Sequence, residues 1–170
     1  MTFDVPVKSS VYPLSEILML DQPMITDRRR RWMATLARAS AERLTALLHA
    51  APPLPAYTVL RGPETGLVMV RGRMGGGGDP FNVGEMTVTR CTVRTDAGTV
   101  GHAWIAGRDA EHAERAAAAD AAMQDPALAP ALQTAVLDPL DAEEADRRAS
   151  IAARAAATRV DFFTLAAMRS

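Results

Sequence analysis

The chain has 170 residues, with 19 Lys and Arg against 20 Asp and Glu, a formal net charge of -1 and a pI near 6.3. That balance excludes a general electrostatic attraction to nucleic acid or to an anionic membrane. A single cysteine, Cys91, excludes an internal disulfide framework and a cysteine-caged metal. Hydrophobic residues make up 48% but aromatics only 5%, so much of the apolar content is alanine. Alanine-rich apolar content points to closely packed helices around one modest core.

Residues 1–25 contain Pro6, Pro13 and Pro23 and show no sustained period. They are expected to form a disordered or irregular extension ahead of a single domain over 26–170. The apolar run at 17–20 lies between Glu16 and Asp21. It is too short for a signal peptide or a membrane helix, so the expected location is the cytoplasm. Met24 stands just before the first periodic segment and is an alternative start, which leaves open whether residues 1–23 are translated.

The first helix is expected over 27–49, capped by Thr26 or Asp27. Trp32, Met33, Leu36, Leu44, Leu47 and Leu48 recur at helical spacing, and Pro52 and Pro53 end it. Arg28 to Arg31 form a charge run near its start. A solvated face is favoured there over an anion-binding patch, because cations oppose the macrodipole at that end.

Short strand-like runs follow at 56–61, 67–74, 85–94 and 99–106. They are separated by "GPETG", the run Gly75–Gly78 and "TDAG". Turns this short favour antiparallel pairing, and a four-stranded meander is the expected sheet. In the last run Val100, His102, Trp104 and Ala106 fall on one face. The run Gly75–Gly78 lacks the Lys-Ser/Thr ending and the following helix of a phosphate loop. It reads instead as a wide connection between strands, close to a surface that a partner or substrate approaches.

The second half is helical. Asp109 is an N-cap for a helix over 109–124, and 126–137 is a short helix or turn. Asp141 and Glu144 have the spacing of a reciprocal cap for a helix over 141–159. The fold class is therefore α+β: an N-terminal helix, a four-stranded antiparallel meander and Ala-rich C-terminal helices, the last forming an arm from about residue 126.

No nucleophile–base pair stands out, so no catalytic residue is assigned. No histidine pair has the spacing of a helical zinc site, and no metal is expected. Asp120 falls among Ala113, Ala116 and Ala117 on the face of its helix that must pack. Such a carboxylate needs a partner, and Arg73, Arg90 and Arg108 are the candidates. Phe162 and Phe163, if helical, point about 100° apart. Either both pack within this chain or one enters a second protein. Asp120, Phe162 and Phe163 are thus the candidate partner surface.

The blocks "WMATLARAS", "ETGLVMVRGRMGG", "FNVGEMTVTRCTVR", "GHAWIAGRDAEHAERAAAADA" and "RVDFFT" occur in one order from residue 27 onward. Together they resemble the PhnG family, subunits of the bacterial carbon–phosphorus lyase core complex. The resemblance implies partners PhnI, closest, then PhnH and PhnJ, with an associated ABC-type ATPase. It implies a complex that joins an alkylphosphonate to the ribose of ATP and displaces adenine, giving alkylphosphonate ribose 5-triphosphate. It implies S-adenosylmethionine and an iron–sulfur cluster on another subunit, since one cysteine cannot hold a cluster. This chain would then carry no cofactor and serve assembly. The alternative is direct binding of phosphonate or triphosphate oxygens by Arg73, Arg90 and Arg108, with Arg94, around the glycine loop.

Overall fold

The computed structural model describes residues 22–73 and 78–159, with side chains from residue 27 onward. Helix α1 spans Gln22–Arg38 and α2 Ala41–Ala50. Strands β1 (Tyr57–Arg73), β2 (Pro80–Thr95) and β3 (Val100–Ala106) form an antiparallel sheet in that order. Helix α3 spans Ala110–Ala122, α4 Ala129–Leu132 and α5 Asp138–Ala157, with a π-helical turn at Gln133–Leu137 before α5.

The α+β class stands, but the sheet has three strands where four were expected. "GPETG" is not a turn. It lies inside β1, where register shifts between Val59 and Arg61 and between Arg61 and Glu64 absorb the irregularity. Pro63 has no N–H to give a ladder, and β1 is an edge strand, the place where proline is tolerated. A bulged edge strand thus replaces two short ones. β2 likewise begins at Pro80 rather than near 85.

The single helix expected over 27–49 is two. The break falls at Ala39 and Ser40, where the Ser40 hydroxyl accepts from the Arg43 N–H at 3.2 Å and caps α2. Serine offered the chain a new start where the apolar period alone suggested continuity. α1 also begins earlier than expected, at Gln22, so neither Thr26 nor Asp27 is its cap. Pro23 fits there because the first turn of a helix has no use for its missing N–H.

Helix α3 begins at its expected cap: the Asp109 carboxylate accepts from His112 N–H at 2.8 Å. The reciprocal cap expected at Asp141 and Glu144 does not form, because α5 already starts at Asp138. Asp141 instead accepts from the Thr35 hydroxyl at 2.7 Å, and Glu144 pairs with Arg147 and Arg148. Pro139 explains the wider turn before α5. Lacking an N–H, it cannot continue the ordinary ladder, and a π-turn accommodates the gap.

The core is layered around α3. One side of α3 lies on Cys91, Val93, Ala103 and Ile105 of the sheet. The other meets Trp32, Leu36, Leu44 and Leu47 of the N-terminal helices and Leu132, Val136 and Leu140 of the C-terminal segment. Ala113, Ala116 to Ala119, Ala121 and Ala122 are all buried. A helix whose second half is buried by alanine lets neighbouring backbones approach closely. Gly101 of β3 makes that approach possible: a Cβ there would lie 2.7 Å from Ala121 N and 2.8 Å from Ala121 Cβ, and against the Ala117 carbonyl. Helix α5 buries only Leu140 and otherwise extends into solvent.

Candidate functional site

Three features have functional bearing: a buried carboxylate node, the arginines expected around the glycine loop, and a long hairpin with uncovered apolar faces.

The node centres on Asp120, which is 0% exposed. Its Oδ1 accepts from Arg29 Nε at 3.1 Å and from Trp32 Nε1 at 2.8 Å. Its Oδ2 accepts from Arg29 Nη2 at 2.7 Å and from the His102 backbone N–H at 2.8 Å. Both oxygens are therefore saturated by donors from α1 and β3. The Val100 carbonyl, one step along the same strand edge, accepts from Arg29 Nη2 at 3.1 Å and from Gln124 Nε2 at 2.9 Å. The free edge of β3 is thus closed by side chains, a recognised protection against unwanted strand pairing.

The sequence reading found the ion pair but not its partner. Arg73, Arg90 and Arg108 do not reach Asp120; Arg29 does. Arg29 comes from the charge run read as a solvated face. The available signal was spacing: Arg29, Trp32 and Leu36 fall at i, i+3 and i+7, so Arg29 sits on the apolar stripe of α1. With no exposed surface of its own, Asp120 directs its carboxylate into this chain. Phe162 and Phe163 lie outside the described residues.

The arginines do not converge either. Arg73 faces Pro80 across the hairpin and donates to the Gly78 carbonyl at 3.1 Å. Arg90 lies ten residues farther along β2 than Pro80, about 30 Å at the usual strand rise. It donates to Glu64 Oε2 through Nε at 3.2 Å and Nη2 at 2.9 Å, and its guanidinium stands 5.6 Å from the Trp104 ring centre. Hydrogen bonds from Arg61, then Arg90, hold the Glu64 carboxyl below the usual glutamate range. Arg94 of β2 and Arg108, just past the end of β3, are exposed elsewhere. A single cradle for phosphonate or triphosphate is not assembled by these side chains. Gly75 to Gly77, on which the glycine-loop reading rests, lie outside the described residues.

Other chemistry-bearing groups are in structural service. Cys91 is buried, its thiol 3.6 Å from the Arg61 carbonyl, and burial followed by the Glu114 charge raises its pKa. His112 is buried, with Nε2 2.9 Å from the Leu36 carbonyl, while the exposed His102 ring pairs with the Thr92 hydroxyl at 3.1 Å. Tyr57 donates to Glu114 at 3.1 Å. Burial, then that bond, raises its pKa. A cleft of about 300 Å³ between the α1–α2 corner and α5 is lined by charges already paired, among them Arg43–Glu143 at 2.7 Å and Arg38–Glu144 at 3.9 Å. Among the described residues no helix is long and apolar enough to cross a membrane.

The pairing of the runs at 67–74 and 85–94 was legible in the sequence; the uncovered apolar faces of their hairpin were not. On the face under α3, β2 is buried only as far as Thr89, and β3 ends at Ala106, opposite Val88. Beyond that point β1 and β2 continue together as a two-stranded arm, paired from Gly66↔Val88 to Arg73↔Pro80. Leu67, Met69, Val70, Phe81, Val83 and Met86 are each between 38% and 64% exposed. The signal was in "LVMV": four consecutive apolar residues put apolar side chains on both faces of a strand, as in strands covered on both sides.

A comparison with protein families matches residues 27–168 to the family described as phosphonate metabolism protein PhnG. A curated relative from Rhizobium meliloti (strain 1021), alpha-D-ribose 1-methylphosphonate 5-triphosphate synthase subunit PhnG, is 50% identical over 141 residues, covering 81% of this chain and 88% of the relative.

Proposed function

This chain belongs to the PhnG family of phosphonate metabolism proteins, and from that premise we propose that it is a subunit of an alpha-D-ribose 1-methylphosphonate 5-triphosphate synthase. It serves phosphonate breakdown within the carbon–phosphorus lyase complex of the cytoplasm. The observation that carries this reading is the 50% identity, across most of both chains, to a relative named as a subunit of that synthase.

Its role is assembly. It stands beside PhnI, PhnH and PhnJ and an ABC-type ATPase. Those chains supply the exchange of adenine for an alkylphosphonate on ATP and the later step that needs S-adenosylmethionine and an iron–sulfur cluster. Support comes from what the described side chains are doing: Asp120, Arg29, His112, Tyr57 and Glu64 hold this chain's own elements together, and Arg73, Arg90 and Arg108 are dispersed.

Adenine release from ATP with methylphosphonate, measured in the reconstituted complex, tests the reading. Release should require this chain. The combined Arg73→Ala, Arg90→Ala and Arg108→Ala variant should stay within about threefold of the native rate, since loss of even one 1.4 kcal/mol transition-state contact gives about tenfold. Full activity without the chain would contradict the subunit role. An intact complex silenced by the arginine changes would make the chain a ligand-binding participant.

A further inference from the structure

The arm formed by residues 66–73 and 80–88 is paired strand to strand, yet beyond the buried Val88 at its base no helix or loop of the described chain covers either of its faces. Direct cross-strand partners point to the same face, which sorts its side chains. Val68 pairs with Met86, Val70 with Gly84 and Gly72 with Phe81. The register shift after Val70 leaves Val83 without a cross-strand partner, and a Cβ on Gly72 would lie 2.6 Å from Val83 Cγ2. Val83 therefore fills the space over Gly72, on the face of Val70 and Phe81. This face carries no charged side chain between Val68 and Phe81. The opposite face prolongs the surface that α3 covers farther down; it pairs Leu67 with Thr87 and Met69 with Glu85, and toward the tip turns polar with Arg71 opposite Asn82 and Arg73 opposite Pro80.

A two-stranded ribbon is marginal in water without packing on a face. Split over two faces, the six exposed apolar side chains of the arm present roughly 600 Å² in total, so the case for a partner rests on both faces being uncovered rather than on the size of one patch. Backbone and polar neighbours would bring a contact over both faces close to the ~800 Å² per partner of a standard interface. Charge does not choose the occupant. Arg71 and Arg73 balance Asp79 and Glu85, and both arginines donate to carbonyls at the tip, Pro80 and Gly78. The two edges of the sheet are treated differently as well: side chains close the free edge of β3, whereas β1 has no strand on its outer side among the described residues.

We propose that the β1–β2 arm is a docking finger that inserts between two apolar walls of another subunit of the synthase, with Val70, Val83 and Phe81 against one wall and Leu67 and Met69 against the other. The inference rests on the synthase-subunit reading above. A second copy of this chain is the weaker occupant, because two arms stacked symmetrically would cover one face each and leave the other wet. A charged polymer or a lipid surface is disfavoured by the neutral, apolar character of the arm.

The test uses the full chain, tagged and co-expressed with the other synthase subunits. One variant combines Val70→Ser with Phe81→Ser, the other Leu67→Ser with Met69→Ser. Each should reduce co-purified subunits by about tenfold or more, a loss equivalent to about 1.4 kcal/mol of binding, while far-ultraviolet circular dichroism keeps the native signal. Retention of the complex within about twofold by either variant overturns the two-walled finger. If a variant does not fold, a benzophenone amino acid at position 81 of the otherwise native chain decides. A photo-cross-link to another synthase subunit supports the proposal; a link only to a second copy, or none, overturns it. A native chain that brings down no synthase subunit would sink the subunit reading itself, a result distinct from native assembly that survives the arm substitutions.

Discussion

Asp120 shows how much one side chain can organise. Its two oxygens take four hydrogen bonds, from a guanidinium, an indole and a backbone amide, and so tie α1 and β3 to α3. Removing the carboxylate leaves Arg29 without its counter-charge and two further donors unpaired in a buried site. Loss of one member of a buried pair typically costs about 3–5 kcal/mol. Asp120→Ala should therefore lower the thermal midpoint of the purified protein by on the order of 10 °C, at about 2–4 °C per kcal/mol for a domain of this size. Asp120→Asn should fall between native and alanine, because the amide keeps one acceptor and turns two donors toward Arg29 or His102. A midpoint unchanged by Asp120→Ala would mean that the node does not hold the elements together. The need for a partner was legible in the sequence, as a carboxylate among alanines. The partner was not, because Arg29 lies 91 residues away and only tertiary packing chooses among many arginines.

At the scale of elements, the tightest joint is β3 against α3. Gly101 permits it, and the restriction is steric, since Gly101 is not among the glycines with positive φ, which among the described residues are Gly98 and Gly107. Gly101→Ala would drive a methyl into the Ala117 carbonyl and Ala121. Overpacking of this kind costs about 1–3 kcal/mol, so urea unfolding should show a lower midpoint with an unchanged slope. A midpoint equal to the native one would show that the helix can move away without cost. Several elements were legible from local chemistry alone: the Asp109 cap, the stop at Pro52 and Pro53, and the alternation of β3. Two of the errors were of one kind. Ser40 split a helix that the apolar period ran through, and "GPETG" carried turn residues into a bulged edge strand. In both places, local signals of comparable strength pointed two ways, and packing decided. The apolar arm was visible in composition as "LVMV", but its exposure depends on where α3 stops covering the sheet, a long-range fact.

At the scale of the whole molecule, the chain divides its surface unevenly. The body around α3 satisfies its own polar groups: among the described residues no buried side-chain nitrogen or oxygen lacks a partner. The hairpin arm and the long, exposed α5 project from that body and bury little within the chain. Such a shape suits a subunit whose surfaces are completed by neighbours, in agreement with a family of phosphonate metabolism proteins and a relative named as a synthase subunit. The ordered motifs made the family legible from sequence. The sequence reading named Asp120, Phe162 and Phe163 as a candidate partner surface; Asp120 is buried within this chain, Phe162 and Phe163 lie outside the described residues, and much of the exposed apolar area among the described residues lies on the arm.

Size-exclusion chromatography with light scattering, on this chain alone and co-expressed with the other synthase subunits, tests the central claim most directly. The account predicts that the chain elutes with those subunits in one particle of defined mass, and that alone it self-associates or aggregates. A stable 18.2 kDa monomer that elutes apart from the other subunits would contradict it.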